Sequence, residues 1–115
     1  MRRLDELETL SDEERRMLAE VKQAILQHEP EAEVILYGSA ARGEREPESD
    51  YDVLVLVDRE LSVAEEDRVY DAVYEVQLDR GAVISVMFYT RDEWRSGLAS
   101  VSPYRVNVER EGARL

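Results

Sequence analysis

An α/β (α+β) domain, a small mixed sheet flanked by helices, is the fold class the sequence predicts. Three observations predict it. Ser-x-x-Glu boxes open two long apolar stripes of helical period. Three short β-rich runs alternate with those stripes, and one of them, Val53 to Val57, is apolar on both faces, as in a covered central strand. The length of 115 residues suits one domain. Residues 1–10 read as a polar lead-in and 11–115 as a single domain.

Taken in order, Ser11-Asp12-Glu13-Glu14 caps the first helix, whose stripe is Leu18, Val21 and Ile25, flanked by Met17 and Ala24. Pro30 ends it near residues 27–29. Val34 to Tyr37 is the first strand, closed by Gly38, and residues 39–43 hold one helical turn. Residues 44–49 form a polar loop containing Pro47, leading into the strand at 53–57. Ser62-Val63-Ala64-Glu65 caps a second helix running to about Asp79, with Gly81 as its stop. Ala82 to Tyr89 is the third strand, Thr90-Arg91-Asp92-Glu93 opens a short helix, and Ser102-Pro103 begins a last one ended by Gly112.

Composition excludes several functions. With no cysteine there is no disulfide scaffold, thiolate metal site or cysteine nucleophile. No apolar run spans a bilayer and no signal-like stretch follows Met1, so a cytoplasmic protein without a membrane role is expected. A net charge of −12 repels nucleic-acid backbones, so no direct nucleic-acid contact is expected. It suits a cation or a basic protein partner. Lys22 is the only lysine, and an acidic, arginine-rich surface also fits adaptation to high salt or a plain solvated exterior. A homo-oligomer stays open.

The chemistry concentrates between Tyr37 and Val57. Nine aspartates in 115 residues give roughly 0.7 Asp-x-Asp pairs by chance, so the pair Asp50 and Asp52 gains meaning only from its place at the entrance of the buried strand. Residues two apart in a strand share a face, with Cα atoms roughly 6.5 Å apart. Two such carboxylates suit Mg²⁺ or Mn²⁺, although a solvated strand entrance also tolerates them. Gly38 lets a phosphate approach the backbone, and Ser39 offers a hydroxyl and amides at a helix start; a plain turn is the alternative. Arg42 either reaches a phosphate or braces the loop on Asp50 or Glu48.

Tyr37-Gly38-Ser39-Ala40-Ala41-Arg42-Gly43 followed by Ser49-Asp50-Tyr51-Asp52-Val53-Leu54-Val55 resembles the signature of the DNA polymerase β-like nucleotidyltransferases. It is most similar to the minimal nucleotidyltransferase antitoxins paired with HEPN-domain toxins. That resemblance implies a polymerase β-like palm fold and Mg²⁺-dependent transfer of a nucleoside monophosphate, typically AMP from ATP, to a tyrosine hydroxyl of the partner toxin. It implies Asp50 and Asp52 as catalytic metal ligands and Gly38, Ser39, Arg42 and Ser49 as nucleotide-binding residues. One position departs from the family pattern. The neighbouring strand normally brings a third carboxylate, the natural base for the attacking hydroxyl, and here Ser85 stands in its place. Two readings therefore follow, an active transferase and a catalytically impaired module that neutralises its partner by binding; a remnant motif in a small acidic protein is the third.

Other residues carry blander expectations. His28 caps a helix or faces solvent, and no metal cluster forms around it. Ser39 lacks the Gly-x-Ser-x-Gly setting of a hydrolase nucleophile. Tyr70 and Tyr74 belong to the edge of their helix, and Trp94 with Leu98 forms either packing or a partner-facing patch.

Overall fold

The computed structural model describes residues 1–44, 46, 49–96 and 102–115. Five strands, β1 (Arg2–Arg3), β2 (Glu33–Tyr37), β3 (Tyr51–Val57), β4 (Ile84–Thr90) and β5 (Ala113–Arg114), form one sheet in the order β1-β5-β2-β3-β4. The β2–β3 and β2–β5 pairs are antiparallel, whereas β3–β4 and β1–β5 are parallel. The mixed sheet expected from the sequence is present, with helices on both faces.

Helix α1 (Asp12–His28) starts at a complete capping box on Ser11 and buries Met17, Leu18, Val21 and Ile25. Helix α3 (Val63–Arg80) repeats the device at Ser62, buries Val69 and Val73, and stops at Gly81 in the left-handed region. Both cover one sheet face, built from Val34 and Leu36 of β2 and Val53, Val55 and Val57 of β3. The opposite face holds a smaller core of Ile35, Leu54, Leu56, Trp94 and Val108. It is covered by α4 (Arg91–Arg95) and α5 (Pro103–Glu111). Strand β3 is thus buried on both sides, as its unbroken apolar run requires. Trp94 resolves to packing, with its indole N–H donating to Glu109 at 3.1 Å; Leu98 lies outside the described residues.

Residues 1–10 differ from the expected polar lead-in. Arg2–Arg3 pair with β5, and Leu7 and Leu10 are buried in the main core. Arg15 of α1 donates to the carbonyls of Leu4 (3.0 Å) and Leu7, and Arg2 donates to Ala41 O (3.1 Å) and Glu111 O (2.7 Å). Long arginine stems cover the apolar turn while their forks satisfy backbone oxygens, so polarity of sequence does not mean solvation here. Strand β4 also begins two residues later than expected, at Ile84. Among the described residues no helix is long and apolar enough to cross a membrane.

Candidate active site

Strand β2 ends at Tyr37, and Gly38 turns the chain with φ 78° and ψ −157° into the single helical turn α2 (Ser39–Arg42). Across the sheet, Tyr37 pairs with Asp52, and Asp52 pairs with Ser85. These three residues form one row on the face that also carries Leu54 and Leu56, because alternate strand residues share a face. A Cβ on Gly38 would strike Asp52 Oδ2 and stand 3.3 Å from Asp52 Cγ. Glycine here does two things. It supplies the left-handed backbone, and it leaves the room in which the Asp52 carboxylate lies against the turn.

Asp52 is half-buried inside β3, whereas Asp50 lies just before the strand and is exposed. Burial raises the Asp52 carboxyl above its usual range, the negative charge of Asp50 adds to the rise, and Arg42 opposes it. Ser85 donates from Oγ to Asp50 Oδ2 at 3.1 Å, fixing that carboxylate from the neighbouring strand. Sequence reasoning placed Ser85 beside the pair but did not foresee this bond. Ser39 opens α2, whose first amides have no partner within the turn itself, and the Ser49 amide donates to Glu46 O at 3.0 Å.

Arg42 braces the loop, but among the described residues it does so on carboxylates other than the expected Asp50. Its guanidinium binds Glu111 of α5 (3.1 Å) and Glu44 (3.2 Å), and Asp50 is not its partner; Glu48 lies outside the described residues, as does Pro47. The reason is tertiary. The end of α5 returns to α2, so the nearest carboxylate is one distant in sequence. Both partners raise the Arg42 pKa, Glu111 most.

The donor set fits a hard divalent cation. Two carboxylates lie near enough for one to perturb the other, and oxygen ligands suit Mg²⁺ or Mn²⁺. Among the described residues no group of three or more Asp, Glu, His or Cys could enclose a metal. The remaining coordination positions would therefore fall to triphosphate oxygens and water, as is usual for Mg²⁺.

The raised Asp52 pKa has a stability consequence. A carboxyl whose folded pKa exceeds its unfolded value binds protons more tightly when folded, so its cost appears as pH rises through that window. Asp52→Asn should therefore stabilise the free protein at pH 7, seen as a rise in Tm. The gain should disappear below about pH 4, where the wild-type group is protonated in both states. Thermal melts of both proteins across that pH range check it.

The sequence model of the nucleotidyltransferase domain matches residues 18–114, a span that includes every residue of this site. The chain belongs to the nucleotidyltransferase domain family. A proposed protein adenylyltransferase of Methanocaldococcus jannaschii is 35% identical to this nucleotidyltransferase over 75 residues, covering 65% of this chain and 76% of the relative. A chain in a crystal structure of a toxin–antitoxin with AMP-PNP superposes with a TM-score of 0.60 at 15% identity, covering 90% of this chain and 72% of that one. The second likeness is one of fold. The nucleotidyltransferase fold that the resemblance implied is thereby established.

Proposed function

We propose that this nucleotidyltransferase uses Mg²⁺ and ATP to place AMP on a hydroxyl of a protein partner, as the antitoxin of a HEPN-type toxin pair. The observation that carries the reading is the juxtaposition of Asp52 with the Gly38 turn, beside Asp50. The name of the archaeal relative supports AMP as the group and protein as the acceptor. The toxin–antitoxin neighbour supports the partner class, and its AMP-PNP supports ATP as donor.

In this reading the acceptor oxygen bonds to the α-phosphorus, the bond from that phosphorus to the bridging oxygen breaks, and pyrophosphate leaves. A bound divalent ion supplies neutralisation of charge on the phosphate oxygens. Asp50 and Asp52 hold that ion, and Ser85 keeps Asp50 from rotating away. Ser39 and the first α2 amides receive the triphosphate, with Ser49 at the entrance to the Asp pair and Arg42 contributing positive potential from its brace. The acceptor proton, with no carboxylate at position 85 to receive it, passes to water. That specific observation favours a second reading, in which the fold binds nucleotide and neutralises its partner with little or no turnover.

Nucleotide binding is tested by melting the protein with ATP, with and without Mg²⁺. At about 100 times Kd a ligand adds about 2.7 kcal/mol, several degrees in Tm for a domain of this size. Asp50→Asn should abolish the Mg²⁺-dependent part, and an unchanged rise would remove the metal role. Intact-mass analysis of a co-purified partner then reads the transfer directly, as a mass increase of one AMP.

A further inference from the structure

Strand β4 ends the sheet, and among the described residues no strand pairs with its outer edge. Two side-chain contacts show which backbone groups face outward. The Ile84 amide donates to Gln77 Oε1 of α3, and the Tyr70 hydroxyl donates weakly to Val86 O at 3.5 Å. By contrast Val83 O accepts from Tyr51 N at 3.0 Å, so position 83 faces β3. Alternation then turns the N–H of Val86 and both polar groups of Phe88 to the outside. The usual guards of an open edge are missing: Ile-Ser-Val-Met-Phe-Tyr-Thr contains no charge and no proline.

Beside this edge runs an unpartnered stripe of α3. Tyr70, Tyr74 and Leu78 recur every four residues and are 40%, 55% and 67% exposed, whereas Met87, 43% exposed, lies on the opposite face of β4 with Ser85. Tyr70 stacks edge-on against Phe88, with centroids 5.3 Å apart, so stripe and edge are contiguous. Glu66, Asp67, Asp71 and Glu75 interleave with the stripe, and Arg68 is the only basic residue of α3 before its last. A second copy of the chain would bring these carboxylates against their own kind. A basic partner would not.

We infer that the β4 edge and the α3 stripe together receive an extended basic segment of a protein partner, added to the sheet as a further strand. Main-chain bonds to Val86 and Phe88 supply the grip, and Tyr70 is the hydroxyl displaced on entry. Side chains of the added strand that point to the α3 side meet carboxylates, so they are lysine or arginine. Those opposite Ser85 and Met87 point to the face of Asp52. The added backbone stands two strand spacings from Asp52, roughly 10 Å, a gap that a long acceptor side chain crosses. This inference rests on the transferase reading for the role of that acceptor, while the docking itself stands without it.

The probe is a blocked heptapeptide Arg-Val-Lys-Tyr-Lys-Val-Arg at millimolar concentration, with a control in which all four basic residues become glutamate. Amide hydrogen exchange at Val86 and Phe88 should slow at least tenfold with the basic peptide and remain unchanged with the acidic one. Tyr74→Lys and Leu78→Lys, both at exposed positions, should keep the Tm of the parent and lose the protection. Absence of protection, equal protection by the acidic peptide, or protection surviving both substitutions would overturn the docking surface. A dimer of the free chain dissolved by those substitutions would assign the edge to a second copy instead, and so overturn the basic partner. Mg²⁺-ATP thermal shifts on the same samples separate the two proposals: a shift without edge protection removes the docking, and edge protection without a shift removes the transferase.

Discussion

Ser85→Asp is expected to raise AMP transfer to the protein partner by about 100-fold or more, because a positioned general base contributes about 10²- to 10⁴-fold. The site is prepared for it. Ser85 stands in register with Asp52 and its Oγ already touches Asp50, so an aspartate there adds its carboxylate to the existing pair. The same change should harm the metal-free protein. A hydrogen-bond donor becomes a third negative charge, Asp52 is pushed still higher than Asp50 and burial already push it, and the fold loses about 1 kcal/mol. Mg²⁺ should restore that loss, so the variant's Tm should depend on Mg²⁺ more steeply than the parent's. Labelled-AMP incorporation into the partner and melts with and without Mg²⁺ check both halves. If the parent transfers nothing and the variant transfers, the parent is a binding module. If the two transfer equally, the serine is no impairment and another group takes the proton.

Gly38→Ala should destabilise the protein by about 2–4 kcal/mol, together with complete loss of the Mg²⁺-ATP thermal shift. Two costs combine. An L-residue at φ 78° and ψ −157°, a region essentially confined to glycine, costs about 1–3 kcal/mol, and the new methyl must displace the Asp52 carboxylate. Gly81→Ala is the contrast. Gly81 has φ 67° and ψ 32°, an ordinary left-handed position, and an added methyl there meets nothing within 4 Å, so only that smaller backbone cost applies and nucleotide response should be untouched. Chemical denaturation should show Gly38→Ala as the costlier of the two, because it adds both a glycine-only backbone region and the collision at Asp52. Equal destabilisation would show that neither adds a cost.

Much of this molecule is legible without coordinates where the signal is local. The capping boxes at Ser11, Ser62 and Thr90 all form, because each needs only residues three apart. The two-sided burial of Val53 to Val57 follows from its unbroken apolar run. The approach of Gly38 to Asp52 is readable as a spacing, although the spacing does not say that the carboxylate itself occupies the glycine's open side. What stays hidden is non-local. Arg2–Arg3 and Ala113–Arg114 are two-residue strands with no periodic pattern, made strands only by each other and by β2. Likewise the Glu111 partner of Arg42 depends on where α5 ends in space, and no short motif encodes that. Val86 and Phe88 as free-edge residues need the strand order, since the sequence of a middle strand reads the same.

The seam between the first and last strands has a kinetic meaning. Its side-chain tie from Arg2 reaches Glu111 across 109 positions, so nearly the whole polypeptide must be threaded before that seam can close. Helices α1 and α3 with the β2–β4 strands involve shorter loops and can collapse ahead of it. The seam is therefore expected to assemble after the β2–β4 strands that carry Gly38 and Asp52, which amide-exchange labelling during refolding would read directly.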